Sequence, residues 1–144
     1  MLSNPTLETM RALKLQGMAA AFEEQLQNPS TASLAFDERV GLLVDRERLH
    51  RENGRTTRLL RQARLKFSQA AVEDINYRAD RKLDKRLIAT LATGEWIRRG
   101  QGLLMTGKTG TGKSWLFCAL ARQACRQGQS VRYWRLARLR EQMR

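Results

Sequence analysis

Residues 103–135 read LLMTGKTGTGKSWLFCALARQACRQGQSVRYWR, and this stretch decides the fold class. Its first three residues form an apolar run that is typical of a buried parallel strand. A glycine-rich loop follows, and then an amphipathic helix that ends near Gln127. Residues 131–136 alternate between apolar and basic side chains and predict a second strand. This order of elements, over about 35 residues, has the size of a βαβ crossover and predicts an α/β domain.

The loop from Gly107 to Ser114 matches G-x-x-x-x-G-K-[ST] in full. We expect Gly107, Gly110 and Gly112 to adopt φ values that other residues avoid, so that backbone amides approach phosphate groups closely. The positive end of the following helix dipole points to the same place. We expect Lys113 to reach the β- and γ-phosphates and the Ser114 hydroxyl to bind Mg²⁺. The sequence therefore predicts a site for ATP with Mg²⁺, formed by Gly107, Lys108, Thr109, Gly110, Thr111, Gly112, Lys113, Ser114 and Trp115.

Hydrolysis of the nucleotide is a separate question. ATPases of this class need an acidic residue at the end of another strand, which holds Mg²⁺ and orients water. Glu141 is the only acidic residue after Ser114, and it lies in a predicted helix. No arginine finger can be assigned, and two strands make a marginal sheet. We therefore expect the chain to hold only the first part of an ATPase domain, and its catalytic residues stay unknown.

The region before this stretch has a helical pattern. Asn4 and Pro5 favour a helix start, and apolar residues then recur for about five to six turns, as far as Leu26. A second helical pattern begins near Phe36, with Gly54 as a break, and residues 74–80 are typical of a connector. We therefore place an all-helical N-terminal domain at residues 1–70. We expect a phosphate-loop domain of three-layer αβα type to begin at residue 71 and to be incomplete at residue 144.

The charge is strongly positive and unevenly placed. The chain has a formal net charge of +13, and residues 100–144 carry nine basic residues against one acidic residue. Such a field attracts polyanions, of which nucleic acid and an anionic membrane surface are the main alternatives. Residues 55–66 contain no acidic residue, and their arginines lie opposite an apolar helix face. We predict that this basic face makes sequence-independent contacts with DNA phosphates; the alternatives are a solvated face and a face that docks against an acidic partner. The predicted DNA contacts are Arg55, Arg58, Arg61, Arg64 and Lys66. A second candidate set is Arg132, Arg135, Arg138 and Arg140.

Cysteine usage and hydropathy exclude several other classes. Cys118 and Cys125 are two turns apart on one helix face, which favours two buried thiols over a disulfide or a zinc site. No stretch approaches the ~18 apolar residues of a membrane span. The N-terminus has no basic region followed by an apolar run, so we expect no secretory signal, no membrane contact and a cytoplasmic location.

Most of the chain resembles one known family. Residues 83–143 read LDKRLIATLATGEWIRRGQGLLMTGKTGTGKSWLFCALARQACRQGQSVRYWRLARLREQM. Three earlier segments read LKLQGMAAAFEEQL, FDERVGLLVDRERLHREN and RLLRQARLKF. Together these segments closely resemble the IstB ATP-binding family, the helper proteins of insertion-sequence transposition. That family is related to the DnaC-type helicase loaders of the AAA+ class.

The resemblance implies a small helical N-terminal domain followed by an AAA+ ATPase domain. It implies binding of DNA, ATP-dependent assembly into homo-oligomers when full length, and engagement of a transposase. By motif matching it assigns nucleotide contacts to Gly107, Gly110, Gly112, Lys113 and Ser114. Lys108 departs from the family pattern, in which proline is usual at this position. The family's second acidic motif, sensor residues and arginine finger would lie beyond Arg144, so we leave ATP hydrolysis by this chain open.

Two other functions fit the same sequence. A helicase loader of the same class is an alternative, and a transposase reading frame upstream would favour the transposition helper. A non-catalytic adaptor that binds DNA or transposase through its helical domain is another alternative. DNA binding without ATP turnover would favour the adaptor.

Overall fold

The structure is a computed structural model, and it describes residues 4–144. Within these residues the regular structure consists of seven α-helices and three short 3₁₀ segments. The helices are α1 (Pro5–Ala12), α2 (Gln16–Gln27), α3 (Phe36–Ala63), α4 (Lys85–Ala92), α5 (Glu95–Arg98), α6 (Lys113–Arg126) and α7 (Leu136–Gln142). The 3₁₀ segments are Pro29–Ser33, Val72–Asp74 and Ala79–Arg81. None of the helices in residues 4–144 is long and apolar enough to cross a membrane.

The chain divides into two compact units. The N-terminal unit is Met1–Arg55 and the C-terminal unit is Thr56–Arg144. The sequence pattern predicts a domain boundary between residues 70 and 71, whereas residues 56–70 belong to the C-terminal unit. Leu59 and Ala63 at the end of α3 cluster with Cys125 of α6, and Ala70, in the segment after α3, clusters with Cys118 and Ala119 of α6. Residues 1–3 of the predicted N-terminal domain lie outside the described residues.

The N-terminal unit begins as the sequence predicts, but its first helix is interrupted. Asn4 caps α1, since its Oδ1 accepts hydrogen bonds from the amides of Thr6 at 3.1 Å and Leu7 at 3.4 Å. The single helix predicted as far as Leu26 is wrong, because the chain turns at Lys14 with φ 61°. This left-handed residue lies between α1 and α2, and apolar periodicity alone does not reveal it.

Helices α2 and α3 approach each other closely at a glycine. A Cβ added to Gly17 would lie 2.7 Å from the carbonyl oxygen of Arg46 and 2.7 Å from the Cβ of His50. Beside this contact the buried carboxylate of Glu47 accepts a hydrogen bond from the Met18 amide at 2.9 Å and one from Arg51 Nε at 2.9 Å. The Met18 amide and then the Arg51 guanidinium hold the pKa of Glu47 below its ordinary value, against the opposing effect of burial.

Helix α3 is continuous over 28 residues and passes through Gly54, where the sequence analysis places a break. Glycine in a helix interior costs stability without forbidding the helix.

Helix α6 is the centre of the C-terminal unit. Each of its three apolar clusters contains an α6 residue: Cys125 in the first, Cys118 and Ala119 in the second, and Leu116 in the third. Burial raises the pKa of the Cys125 thiol, as expected for a small apolar-like core residue. The two cysteines are free and fully buried, which confirms their prediction as core thiols. The helix that follows the glycine-rich loop is thus fixed by packing along its length.

The two strands expected at residues 103–105 and 131–136 are absent from the described part of the chain, which contains helices, turns and irregular segments. A strand exists only when a neighbouring strand completes its hydrogen bonds, and a two-stranded sheet is marginal. Instead, the Tyr133 amide donates a hydrogen bond to the carbonyl of Ala63 at the end of α3, at 2.9 Å. The three-layer αβα arrangement is therefore not confirmed, and Leu136 begins α7 where the sequence analysis continues a strand.

Candidate nucleotide-binding site

The glycine-rich loop leads directly into α6. Helix α6 begins at Lys113, and Gly112 precedes it with φ 93°. Gly110 also has a positive φ of 81°. Both positions are strained for a residue with a side chain, so the sequence requirement for glycine there has a direct backbone cause. Gly107 does not share this conformation, contrary to the sequence analysis; a Cβ there would lie 3.4 Å from Thr111 Oγ1, an ordinary contact.

Lys113 turns back over the loop that precedes it. Its Nζ donates hydrogen bonds to the carbonyl oxygens of Gly107 at 2.7 Å and Lys108 at 2.6 Å. The Thr111 hydroxyl donates to the same Lys108 carbonyl at 2.8 Å. The ammonium group therefore closes a ring at the start of α6, where the helix dipole places partial positive charge. An anion at this position would meet the lysine and the first helical amides together.

A cavity of about 440 Å³ opens beside this loop. The loop residues Gly107, Gly110 and Gly112 line one side together with Lys113. The other side comes from the segment before α4, including Ile75 and Leu83, and from Trp115 and Leu116 of α6. Its volume lies within the range of about 300–1,000 Å³ that small-molecule sites occupy. The lining combines the cations Arg81 and Lys113 and the carboxylate of Asp80 with apolar side chains such as Ile75 and Leu116.

The remaining predicted loop residues fall into two groups. Lys108, Thr109 and Ser114 are exposed, and Ser114 lies in the first turn of α6. Trp115 is half-buried and packs against both the second and third apolar clusters, so it supports the helix while it also lines the cavity. Among residues 4–144, no three His, Cys, Asp or Glu side chains are grouped so that they would hold a metal ion by themselves.

One charged residue at this site is not predicted from the sequence. Arg81, the last residue of a 3₁₀ segment, donates from Nη2 to the Thr111 carbonyl at 3.3 Å and from Nη1 to the Asn76 carbonyl at 3.4 Å. A Cβ on Gly112 would lie 3.0 Å from Arg81 Nη2, so the guanidinium lies directly against the loop. No spacing rule connects an arginine with a loop residue 30 positions later, and only the folded chain brings them together.

The basic residues predicted to contact DNA separate into two groups. Arg64 and Lys66 line a cavity of about 300 Å³ with Arg132, Arg135 and Arg138, next to Tyr133 and Trp134. The two basic segments of the sequence thus meet at one surface, which we call the basic cavity. None of the described residues that line it is acidic.

The other predicted DNA contacts lie elsewhere. Arg55, Arg58 and Arg61 belong to α3 and do not line the basic cavity, and neither does Arg140 on α7. All four side chains are exposed. The guanidinium of Arg132 lies 5.0 Å from the centre of the Trp134 ring, a distance typical of a cation–π contact.

Comparison with known proteins identifies the relatives of this chain. A Pseudomonas fluorescens protein named for ATP binding and for insertion sequence IS1162 is 54% identical over 144 residues, which are 100% of this chain and 62% of the relative. A Sinorhizobium fredii protein, named for an insertion sequence and for ATP binding, is 42% identical over 96% of this chain and 56% of the relative. A Mycobacterium tuberculosis protein with a name of the same kind is 31% identical over 90% of this chain and 51% of the relative.

These relatives are longer than the chain, which spans between about half and two thirds of their length. The family described as "IstB-like ATP binding protein" matches residues 8–144. That match covers both units and includes the whole glycine-rich loop. The chain therefore belongs to the IstB-like ATP-binding protein family, which is associated with insertion sequences.

Proposed function

We propose that residues 107–114 bind the triphosphate of ATP together with Mg²⁺. The observation that carries this proposal is the ring that Lys113 closes over the loop, between two left-handed glycines and the first turn of α6. The hydrogen bonds of the Lys113 ammonium group become stronger when a phosphate oxygen replaces the neutral carbonyls, because hydrogen bonds between ions are shorter and stronger than those to neutral acceptors. The cavity beside the loop has room for the nucleoside part of the ligand.

Each loop residue has a defined task in this proposal. The amides of the loop and of the first turn of α6 donate to phosphate oxygens, and Lys113 neutralises their charge. The exposed hydroxyl of Ser114 is the protein ligand available to a Mg²⁺ that arrives with the nucleotide. That ion would supply further neutralisation of the phosphates. Ile75, Leu83 and Leu116 supply apolar surface to the same cavity.

We also propose that the basic cavity holds DNA by its phosphates. Five cationic side chains converge there from two segments that are about seventy positions apart, and Arg132 is further held by a hydrogen bond of 3.0 Å to the Gln62 carbonyl. Ordered cations without neighbouring acids give strong, sequence-independent attraction to a phosphate backbone.

In the longer proteins of this family we propose an AAA+ domain of αβα type, of which residues 71–144 form the beginning. The biological role we propose is that of an ATP-binding helper in insertion-sequence transposition. ATP hydrolysis, assembly into homo-oligomers and engagement of the transposase are part of this proposal for the longer protein. The names of the relatives refer to insertion sequences, which favours this role over helicase loading.

Titration with a fluorescent ATP analogue tests the nucleotide site. The substitution Lys113→Ala is expected to abolish binding, because it removes the ammonium that closes the loop. Lys85→Ala is the matched control, since Lys85 lies in the same unit against the Tyr77 ring and does not line the cavity. Equal affinity of the Lys113→Ala and unsubstituted proteins would refute the nucleotide site.

Fluorescence anisotropy with labelled duplex DNA, repeated over a range of salt concentrations, tests the basic cavity. Replacing Arg135 and Arg138 together by Gln is expected to weaken binding and to reduce the slope of log K against log salt by about 0.9 for each phosphate that the protein no longer neutralises. Arg48→Gln is the control, because Arg48 is already flanked by Asp45 at 3.6 Å and Glu52 at 3.5 Å. An unchanged slope in the double variant would refute this surface.

A further inference from the structure

We infer that Arg81 is a second phosphate-directed cation of the nucleotide site, contributed by the segment before α4. This inference rests on the proposed binding of a nucleotide by residues 107–114. It deepens that proposal by naming a contact that the loop motif does not contain. The ligand chemistry is the polyphosphate of the nucleotide.

The position of the guanidinium is the first argument. Arg81 lines the same cavity as Lys113, and its Nη2 lies against Gly112, the residue that precedes the first turn of α6. A phosphate bound by the amides of that turn is therefore within reach of both cations. Asp80 is the one acidic side chain among the described residues that line this cavity, and Arg81 forms no ion pair with it.

The present hydrogen bonds of Arg81 are the second argument. Both run to neutral backbone carbonyls, and their lengths of 3.3 and 3.4 Å lie at the long end of the hydrogen-bond range. A guanidinium has five N–H donors in a planar fork that matches two phosphate oxygens. Exchange of a long carbonyl contact for a charge-assisted phosphate contact is favourable.

The backbone that carries Arg81 is the third argument. Lys82 follows it in the left-handed conformation, with φ 51°, and Asp84 then caps α4 through hydrogen bonds to the amides of Arg86 and Leu87. Ile75 and Leu83 on either side of Arg81 pack with Leu116 of α6. Arg81 is thus held over the loop by structure on both sides of it, and binding of a polyphosphate would tie this segment to the loop.

The experiment compares Arg81→Ala with Arg86→Ala in the 144-residue chain. Affinity is measured with the fluorescent ATP analogue and, in competition, with inorganic tripolyphosphate and with adenosine. We expect Arg81→Ala to weaken the analogue and tripolyphosphate by about 10- to 100-fold, as for a lost hydrogen bond to a charged group, and to leave adenosine unchanged. Arg86→Ala, whose side chain does not line the cavity, should match the unsubstituted chain.

Two further variants separate charge from structure. Arg81→Lys keeps the charge and should recover part of the tripolyphosphate affinity, whereas Arg81→Gln keeps hydrogen-bond donors for the Thr111 carbonyl and should recover none. Unchanged tripolyphosphate affinity in Arg81→Ala overturns the inference, and so does an equal loss for adenosine or full recovery by Arg81→Gln.

The unsubstituted chain distinguishes the two proposals. In one outcome the unsubstituted chain binds the analogue, Lys113→Ala abolishes that binding and Arg81→Ala leaves it intact. This outcome refutes the role of Arg81 alone. If the unsubstituted chain binds neither the analogue nor tripolyphosphate, both the nucleotide site and the role of Arg81 are refuted.

Discussion

The two units bury different kinds of side chain. In the described part of the N-terminal unit the buried residues are small or charged: Gly17, Ala19, Ala21 and Glu47. Leu42, Val44 and Leu49 of α3 remain about half exposed. The C-terminal unit buries Leu59, Ile75, Ile88 and Leu116 in clusters centred on α6. The first unit therefore depends on close helix approach and one carboxylate, whereas the second depends on apolar volume that also supports the glycine-rich loop.

The largest expected effect is in the second unit. Leu116→Ala removes a buried side chain that belongs to the third apolar cluster and also lines the cavity beside the glycine-rich loop. We expect the free energy of unfolding to fall by about 2–5 kcal/mol. Denaturant unfolding measures this loss, and hydrogen exchange of residues 113–126 locates it. Leu104→Ala, at an 87% exposed leucine, is the control and should change little. Equal losses in both variants would mean that the unit does not depend on this cluster.

Glycine packing gives the next effect, in the first unit. Gly17→Ala would place a Cβ 2.7 Å from a backbone carbonyl that cannot move away cheaply. We expect a loss of about 1–3 kcal/mol, measured by thermal or denaturant unfolding. Gly41→Ala on α3 is the matched substitution, because an added Cβ there meets nothing within 4 Å. Its better helix propensity should stabilise the protein by up to about 1 kcal/mol. A stabilising Gly17→Ala would contradict the close approach of α2 and α3.

The buried carboxylate predicts a smaller, pH-dependent effect. The pKa of Glu47 is lowered in the folded chain, so its contribution is complete above the ordinary glutamate pKa of about 4.3 and is lost as pH falls through the folded value. Glu47→Gln should cost about 1–2 kcal/mol at neutral pH and should flatten the dependence of stability on pH below about pH 5. Unfolding curves over a range of acidic to neutral pH measure it. Identical pH profiles for Glu47→Gln and the unsubstituted chain would show that the buried carboxylate does not stabilise the N-terminal unit.

The smallest effect concerns an exposed ion pair of the second unit. Arg126 Nη1 lies 2.7 Å from Glu73 Oε1. The Glu73 backbone amide and then the Arg126 guanidinium lower the pKa of that carboxyl. Arg126→Ala should raise this pKa toward its ordinary value, as measured by NMR titration, with little change in thermal stability because exposed pairs contribute little. A large fall in thermal stability would show that surface pairs, as well as apolar clusters, hold this unit together.

The elements that local signals define were predictable from the sequence. Asn4 caps a helix as expected, and the helix after the glycine-rich loop begins at Lys113. The family assignment is confirmed over residues 8–144. Each of these depends on neighbouring residues or on a contiguous motif, so the sequence contains the information directly.

The errors arise where distant parts of the chain decide the outcome. Lysine is not a residue type that indicates a left-handed turn, so the sequence does not predict the division between α1 and α2 at Lys14. The two expected strands need a ladder partner, and short apolar runs do not specify one. Arg81 reaches the loop only because the segment before α4 folds over it. The nucleotide and DNA contacts themselves stay predictions.

Because Cys118 and Cys125 are buried, their reactivity reports local opening of the C-terminal unit. Both thiols lie on α6, the helix that follows the glycine-rich loop, and neither is accessible in the folded structure. A thiol reagent can therefore modify them only when α6 separates from its neighbours, so the labelling rate measures how readily α6 opens. A ligand that binds at the start of α6 must slow this reaction in proportion to its occupancy. The rate of thiol modification would then report ligand occupancy without any added label.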